Sequence, residues 1–329
     1  MKEELIKLCK FFSIILLAGF GVSLFPHTGW LADLFSHFAI QYAVGGFVLG
    51  WLCLFFRMGS LAIILFLVSV FNIYEIRASY TDPLAFNNPH IDLPPHLTVV
   101  HYNKLYRNNQ WALFDNWVRL NADNADLVII QETTPATILK MRSYEKQFPY
   151  RYPDKKWNHY NDVSVMSRYP FEARPVRQTQ HDGRTVGTFI KLKKPYLSHP
   201  VHIYTVHAHV PFGERRYYYQ RRALKTLSSA VQNDPHPYIL MTGDWNLTPY
   251  APLFHDVLDQ TGMIYNDYSY FPKVTWNSTF IFPFFKIPID HIIHSPAMKQ
   301  VDKQVGPALG SDHNMLISKF HIPENKASE

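Results

Sequence analysis

The chain has 329 residues, with 32 Lys or Arg against 26 Asp or Glu and a formal net charge of +6. That length leaves room for an anchor plus one large domain, or for two ordinary domains. The composition is that of a folded chain with abundant aromatics and 17 histidines. Both cysteines, Cys9 and Cys53, lie in the apolar N-terminal part, which excludes a disulfide framework and a thiolate metal site from everything after it.

Residues 1–76 set Lys2, Lys7, Lys10 and Arg57 against Glu3, Glu4, Asp33 and Glu75, so the whole basic excess falls in 77–329. An excess there suits an anionic substrate or surface. Three runs without Asp, Glu, Lys or Arg follow one another, at Phe11 to Ala32, Leu34 to Phe56 and Met58 to Tyr74. A membrane-crossing helix needs about 20 apolar residues, and about 17 is the short end. A cleaved leader would explain the first run alone. The pattern predicts an anchor over 1–76 with three transmembrane helices, at about 11–30, 35–56 and 58–75. Lys2, Lys7, Lys10 and Arg57 flank it on one side, whereas the connection 26–37 has no Lys or Arg. The bias places the N-terminus in the cytoplasm and everything after Glu75 outside.

Residues 77–96, rich in Pro and Asn, read as an extended linker. Beyond them, strand-type runs at 97–103, 126–132, 162–167, 201–210, 238–244, 289–293 and 314–320 alternate with helical spacing at 110–122, 135–147 and 214–233. Strands interleaved with helices predict an α/β domain.

These strands share one property, polar residues at an end. Asn103 ends the first and Glu132 the second; His207 and His209 lie near the end of another, and Asp244 and Asn246 just past the next. Asp290 and His291 open a later strand, and "GSDHN" at 310–314 precedes the last. A rigid α/β sheet brings distant strand ends into one ligand site. A carboxylate beside a carboxamide, Glu132 with Asn103, offers oxygen ligands to a hard cation such as Mg2+. Asp244 suits orienting or deprotonating a water. His313 paired with Asp290 would be held in one tautomer, able to stabilise charge on a phosphate oxygen, with His207 as a second donor. Each element alone also has a plainer reading: Gly-Asp-x-Asn forms turns, Asp312 can cap one, and His101, His159, His202, His209 and His294 read as surface or packing residues.

Taken together, the order resembles the endonuclease/exonuclease/phosphatase superfamily, the DNase I-like fold. The residues that carry the resemblance are Asn103, Gln131-Glu132, Ser167-Arg168-Tyr169-Pro170, His207, Gly243-Asp244-Trp245-Asn246, Asp290-His291-Ile292 and Ser311-Asp312-His313. It covers about 97–321, and three apolar runs in front look like a bacterial membrane-anchored branch. The resemblance implies a four-layer α/β sandwich over 97–323, two mixed sheets face to face and flanked by helices, behind the inner-membrane anchor. It further implies a metal-dependent phosphodiesterase using Mg2+ or Mn2+. Glu132 would be the principal metal ligand with Asn103 and Asp312 close to the ion, and Asp244 would align or activate the water. Asn246 would contact the phosphate, while His313, steadied by Asp290, and His207 would bind the scissile group. Two positions depart from the pattern: Leu105 stands where some family nucleases carry an acid, and Asn161-Asp162 replaces a common Gly.

The expected substrate is a phosphoester of nucleic acid or of a phospholipid headgroup. "GERRYYYQRRALKTL" at 213–227 sets four arginines among three tyrosines, which suits nucleic-acid phosphates, a headgroup layer or merely solvent. "FIFPFFKIP" at 280–288 would favour lipid if exposed. The alternative to an enzyme is a membrane-anchored binding module that kept the fold.

Overall fold

The computed structural model describes residues 1–153, 162–177, 185–195, 197, 199–269, 271–277 and 285–323. Most of "FIFPFFKIP" lies outside these residues.

The N-terminal part comprises α1 (Lys2–Ser23), α2 (Trp30–Ser36), α3 (Ala39–Phe55) and α4 (Gly59–Ala78). Helices α1 and α4 are each long and apolar enough to cross a membrane, while α2 and α3 pass that test only together, bent by 61° at their junction. Small residues let α3 and α4 approach closely: a Cβ on Gly46 would come within 2.7 Å of the Leu65 carbonyl oxygen, and Ser69 Oγ donates to the Ala43 carbonyl at 2.7 Å. Residues 77–96 run along the following domain rather than away from it. Arg77 Nη1 donates to the Ser269 carbonyl at 2.6 Å, and Tyr80 stacks on Tyr265 with centroids 5.4 Å apart.

The domain then runs β1 (Leu97–Asn103), α5 (Trp111–Asn121), β2 (Leu127–Gln131), α6 (Pro135–Arg142), β3 (Tyr150–Tyr152), β4 (Ser164–Ser167), β5 (Phe171–Arg177), β6 (Thr185–Leu192) and β7 (Val201–Thr205). It continues with α7 (Glu214–Gln232), β8 (Ile239–Asp244), α8 (Pro252–Thr261), β9 (Trp276–Asn277), β10 (Lys286–Ile287), β11 (Asp290–His294), β12 (Lys299–Val305) and β13 (Leu316–His321). One sheet has the order β12-β13-β1-β2-β4-β3 and the other β11-β8-β7-β6-β5; β9 and β10 form a separate pair. Both sheets are mixed. Each has one parallel pair, β1 with β2 and β7 with β8, flanked by antiparallel neighbours.

Alternation along the strands builds the layers. Leu97 and Val99, Leu127 and Ile129, Ile190, Ile203, Leu240, Ile292 and Phe320 meet between the sheets. Their neighbours Val100, Val128 and Ile130 turn outward onto Phe114, Trp117 and Val118 of α5 and Met141 of α6. On the second sheet Tyr204, Met241 and Ile293 turn outward onto Leu224 and Leu227 of α7 and Phe254 of α8. Helix, sheet, sheet, helix is the four-layer order.

The inter-sheet layer changes character along its length. It is apolar at Leu97, Leu127 and Leu240, but the same inward register reaches His101 and Asn103, Gln131, Thr205, Thr242 and Asp244, and Asp290, all buried. The parallel pairs end at this polar edge, and β11, the antiparallel partner of β8, begins there, with Asp290 directly opposite Asp244.

Candidate active site

Asp244 is the centre of the edge. Its backbone N–H donates to Gln131 Oε1 at 2.8 Å, tying the two sheets together, and Gln131 Nε2 donates to the Val206 carbonyl at 2.8 Å. Gly243 makes this crossing possible: it has φ +141, and a Cβ there would lie 1.9 Å from the Val206 carbonyl oxygen. Asp244 Oδ1 accepts from the Asn246 backbone N–H at 2.9 Å. Its Oδ2 accepts from Asn103 Nδ2 at 3.0 Å and faces His207 Nε2 and His313 Nε2, each at 3.7 Å. One carboxylate oxygen thus meets an amide and two imidazoles from four strand ends.

Each imidazole is held from behind. His313 Nδ1 bonds Asp290 Oδ2 at 2.8 Å, and His207 Nδ1 bonds Asp162 Oδ2. Nδ1 therefore carries the donated proton and Nε2 faces the edge. Burial works against the charged imidazole of His207, but the Asp162 carboxylate, then Asp244 and Glu132, outweigh it and push the pKa up to about 10. Burial likewise opposes His313, and Asp290 with Asp244 pushes it up to about 9. Burial would raise Asp290, yet His313 and His101 hold it far below the usual carboxylate range. Asp244 goes the other way. Burial and, against the pull of His313, the Asp290 charge raise it.

Asn246 sits half-buried with φ 48, its Nδ2 donating to the Ala208 carbonyl at 2.9 Å. Glu132, also outside the right-handed regions at φ 55, accepts from Asn103 Nδ2 at 3.1 Å and from the Tyr106 N–H at 2.8 Å. Asp312 Oδ2 accepts from Trp276 Nε1 at 3.0 Å. Its neighbour Ser311 donates through Oγ to the Asn103 carbonyl at 2.8 Å, so Glu132, Asn103 and Asp312 follow one another along the rim. Two carboxylates and a carboxamide, each partly committed to fixed donors, are the hard oxygen set that Mg2+ or Mn2+ takes while keeping several waters. The donor chemistry fits such an ion. A tighter group, Asp244, Asp290 and His313, has ligand atoms within 4.8 Å of one another. Both oxygens of Asp290 are already taken, by His101 Nε2 at 2.9 Å and by His313, so this group reads as a hydrogen-bonded relay.

All eight residues singled out from the sequence thus stand along one edge of the sandwich. Two participants were missed. Asp162 sits at the position noted only as a departure from the family pattern. His101, taken for a surface or packing residue, is fully buried against Asp290. The expected strand 201–210 stops at Thr205, so His207 stands in the following loop, and His209, read as a surface or packing residue, is exposed beside Tyr219. The arginine helix is less free than its sequence implies: Arg221 lies over Tyr217 and 3.7 Å from Asp33 Oδ1.

No curated protein matches the chain. Among solved structures, TDP2 of D. rerio, complexed with single strand DNA product, is similar at a TM-score of 0.53 and 14% identity, over 68% of this chain and 98% of that one. The 3' phosphatase NExo from Neisseria, bound to a product DNA hairpin, is similar at 0.51 and 16%, over 68% and 99%. Sphingomyelinase C from Streptomyces griseocarneus follows at 0.50 and 16%, over 69% and 99%. At such identities the likeness speaks for the fold. The profile of the endonuclease/exonuclease/phosphatase family matches residues 77–313. The chain belongs to that family of DNase I-like, metal-dependent phosphoesterases.

Proposed function

We propose that the protein is a membrane-anchored, divalent-metal-dependent phosphoesterase that hydrolyses a phosphodiester by in-line attack of water. The observation that carries this reading is the convergence of two carboxylate-backed imidazoles on Asp244 Oδ2. Glu132, Asn103 and Asp312 would hold the cation, which when bound neutralises charge on the phosphoryl group.

The remaining work falls to the chain itself. Asp244, fixed through Gln131 and the Asn246 N–H, takes the proton of the attacking water, a task suited to a carboxylate whose pKa is raised. His207 and His313, kept protonated, present Nε2–H groups to the non-bridging oxygens as charge develops on them. Asn246, whose backbone N–H is bonded to Asp244, orients the phosphoester. The anchor would keep this chemistry at the outer face of the inner membrane, in support of which stand the apolar α1 and α4 and the Lys2, Lys7, Lys10 and Arg57 bias.

A nucleic acid or a phospholipid headgroup would be the substrate, since the similar structures include a DNA-bound phosphatase and a sphingomyelinase. The test is cleavage of DNA, RNA, sphingomyelin and an inositol phosphate by the full-length protein in nanodiscs, with Mg2+, with Mn2+ and with EDTA, beside Asp244→Ala. Chelator-sensitive cleavage of one class is expected, falling about 10³-fold or more in the variant. Cleavage that survives both EDTA and Asp244→Ala would refute the mechanism. Silence on every substrate would favour the non-catalytic binding module.

A further inference from the structure

The anchor does more than sit beside the domain. Helix α2, which spans the junction of the first two apolar runs at Asp33, docks through its C-capping His37 on the loop that leaves Asp244. His37 Nδ1 accepts from the Thr248 backbone N–H at 3.1 Å and lies 2.9 Å from Thr248 Oγ1. Accepting there assigns the ring proton to Nε2, which lies 3.6 Å from Asp33 Oδ2. Asp33 is 1% exposed, and its carboxylate oxygens have no hydrogen-bond partner. Its charge is faced by His37 and, at 3.7 Å, by Arg221 of α7. Burying a carboxylate so lightly compensated is a cost of the docked arrangement, and His37 and Arg221 are the groups that offset it.

The neighbour of Arg221 completes the clamp. Gln220, fully buried, donates through Nε2 to the Trp245 and Asn246 carbonyls at 3.1 and 2.6 Å. Two residues past Thr248, Tyr250 packs among Ala39 and Ala43 of α3 and Ile76 of α4. The segment 245–250 is therefore gripped by α7 on one side and by the anchor on the other. Asn246 lies within it in a left-handed conformation, φ 48, between the two grips.

We propose that α2 is a positioning element of the active site: His37 latches the 245–248 loop so that Asn246 meets the phosphoester, and full turnover requires the docked anchor. This rests on the role given above to Asn246. His37 and Asp33 are positioning residues and touch no substrate. The latch also makes the domain freed of residues 1–76 a poorer enzyme than the whole chain.

The test uses full-length protein in nanodiscs, with His37→Ala, His37→Asn and Thr248→Val. Three readouts are followed: kcat and KM, melting temperature, and hydrogen exchange of the segment 245–251. Misplacing one positioned group by about 1 Å can cost on the order of a hundredfold in rate. For His37→Ala, kcat is expected to fall about tenfold with KM within about twofold, and exchange of 245–251 to rise while the rest of the domain is unchanged. Asn places an acceptor near the Nδ1 position, so His37→Asn should restore most of both. Thr248→Val, which removes one of the two bonds, should show a smaller effect of the same kind and serves if His37→Ala fails to fold. Unchanged kcat and exchange would overturn the latch. So would a loss shared equally by melting temperature and exchange throughout the domain, which marks a merely structural role. If the wild-type protein cleaves no phosphoester, the hydrolase reading fails, and local exchange at 245–251 still decides whether His37 holds the loop.

Discussion

Two pairs of histidines in one domain show opposite behaviour although burial opposes the charged form in all four. His207 and His313 stand at the polar edge with pKa values pushed up to about 10 and about 9. His291 and His294, on β11, are pushed down to about 4 by burial, with only carbonyls as hydrogen-bond partners, Leu247 at 2.7 Å and Ser295 at 2.9 Å. All four lose water on folding. Only the first pair meets carboxylates, Asp162, Asp290 and Asp244. The partner, then, sets the sign of the shift where burial opposes charge in every case, and it separates imidazoles set to carry charge from imidazoles set to fill space.

The comparison can be broken most sharply at Asp290. Asp290→Asn removes the carboxylate that serves both His313 and His101, and kcat/KM should fall about 10²- to 10³-fold, measured on whichever substrate class the wild-type protein cleaves. A loss below about threefold would mean that the carboxylate does not charge the ring. Asp162→Asn should cost less, about ten- to a hundredfold, and it carries a pH signature. In the proposed mechanism His207 acts protonated and loses its proton as pH rises through its pKa, so the variant's basic limb in kcat/KM should move to lower pH. An unmoved limb would assign that limb to another group.

The space-filling pair predicts a stability effect instead. For His291 and His294 the folded pKa lies below the unfolded value of 6.5, so the unfolded chain binds more protons between them. Their contribution is full above pH 6.5 and is lost as pH falls towards 4, by about 2 kcal/mol per residue at pH 5. Melting of the full chain at pH 7 and pH 5 should show this loss, and His294→Leu should flatten it. The rim pair has the reverse sign: it adds stability below pH 6.5 that is lost as pH rises through 9 and 10. An acid limb unaffected by His294→Leu would place the loss elsewhere.

Legibility in the sequence followed local pattern. The strands β1, β2 and β8 carry short apolar stretches and, like β11, are buried along their whole length, and such stretches declare themselves. The strands β5, with Pro175 and three charges, and β12, "KQVDKQV", are edge strands paired on one side, where charge and proline disguise the period. The ten-residue α8 was also missed, and the helical spacing read over 135–147 ends at Arg142. In the site, polar residues at strand ends stood out against their apolar strands. Asp162 and His101 did not, because what gives them meaning is a partner far along the chain, 45 residues away for Asp162 and 189 for His101. A lone His inside a strand reads as packing until its partner is seen. The bend between α2 and α3 was hidden likewise: composition reports that a segment is apolar, while the docking of His37 on Thr248 is a tertiary event.

Glu132 and Asn246 share a left-handed backbone, at φ 55 and 48, and that has a consequence for anyone engineering this protein. Glycine adopts such angles without penalty, and a non-glycine residue there gives up about 1 kcal/mol or more. A library screened for heat resistance alone is drawn to Glu132→Gly only where that relief outweighs the bonds lost from Asn103 and the Tyr106 N–H, and it then enriches chains that have lost a carboxylate at the rim. Robustness and turnover compete at that position, so selection for one must be run under demand for the other.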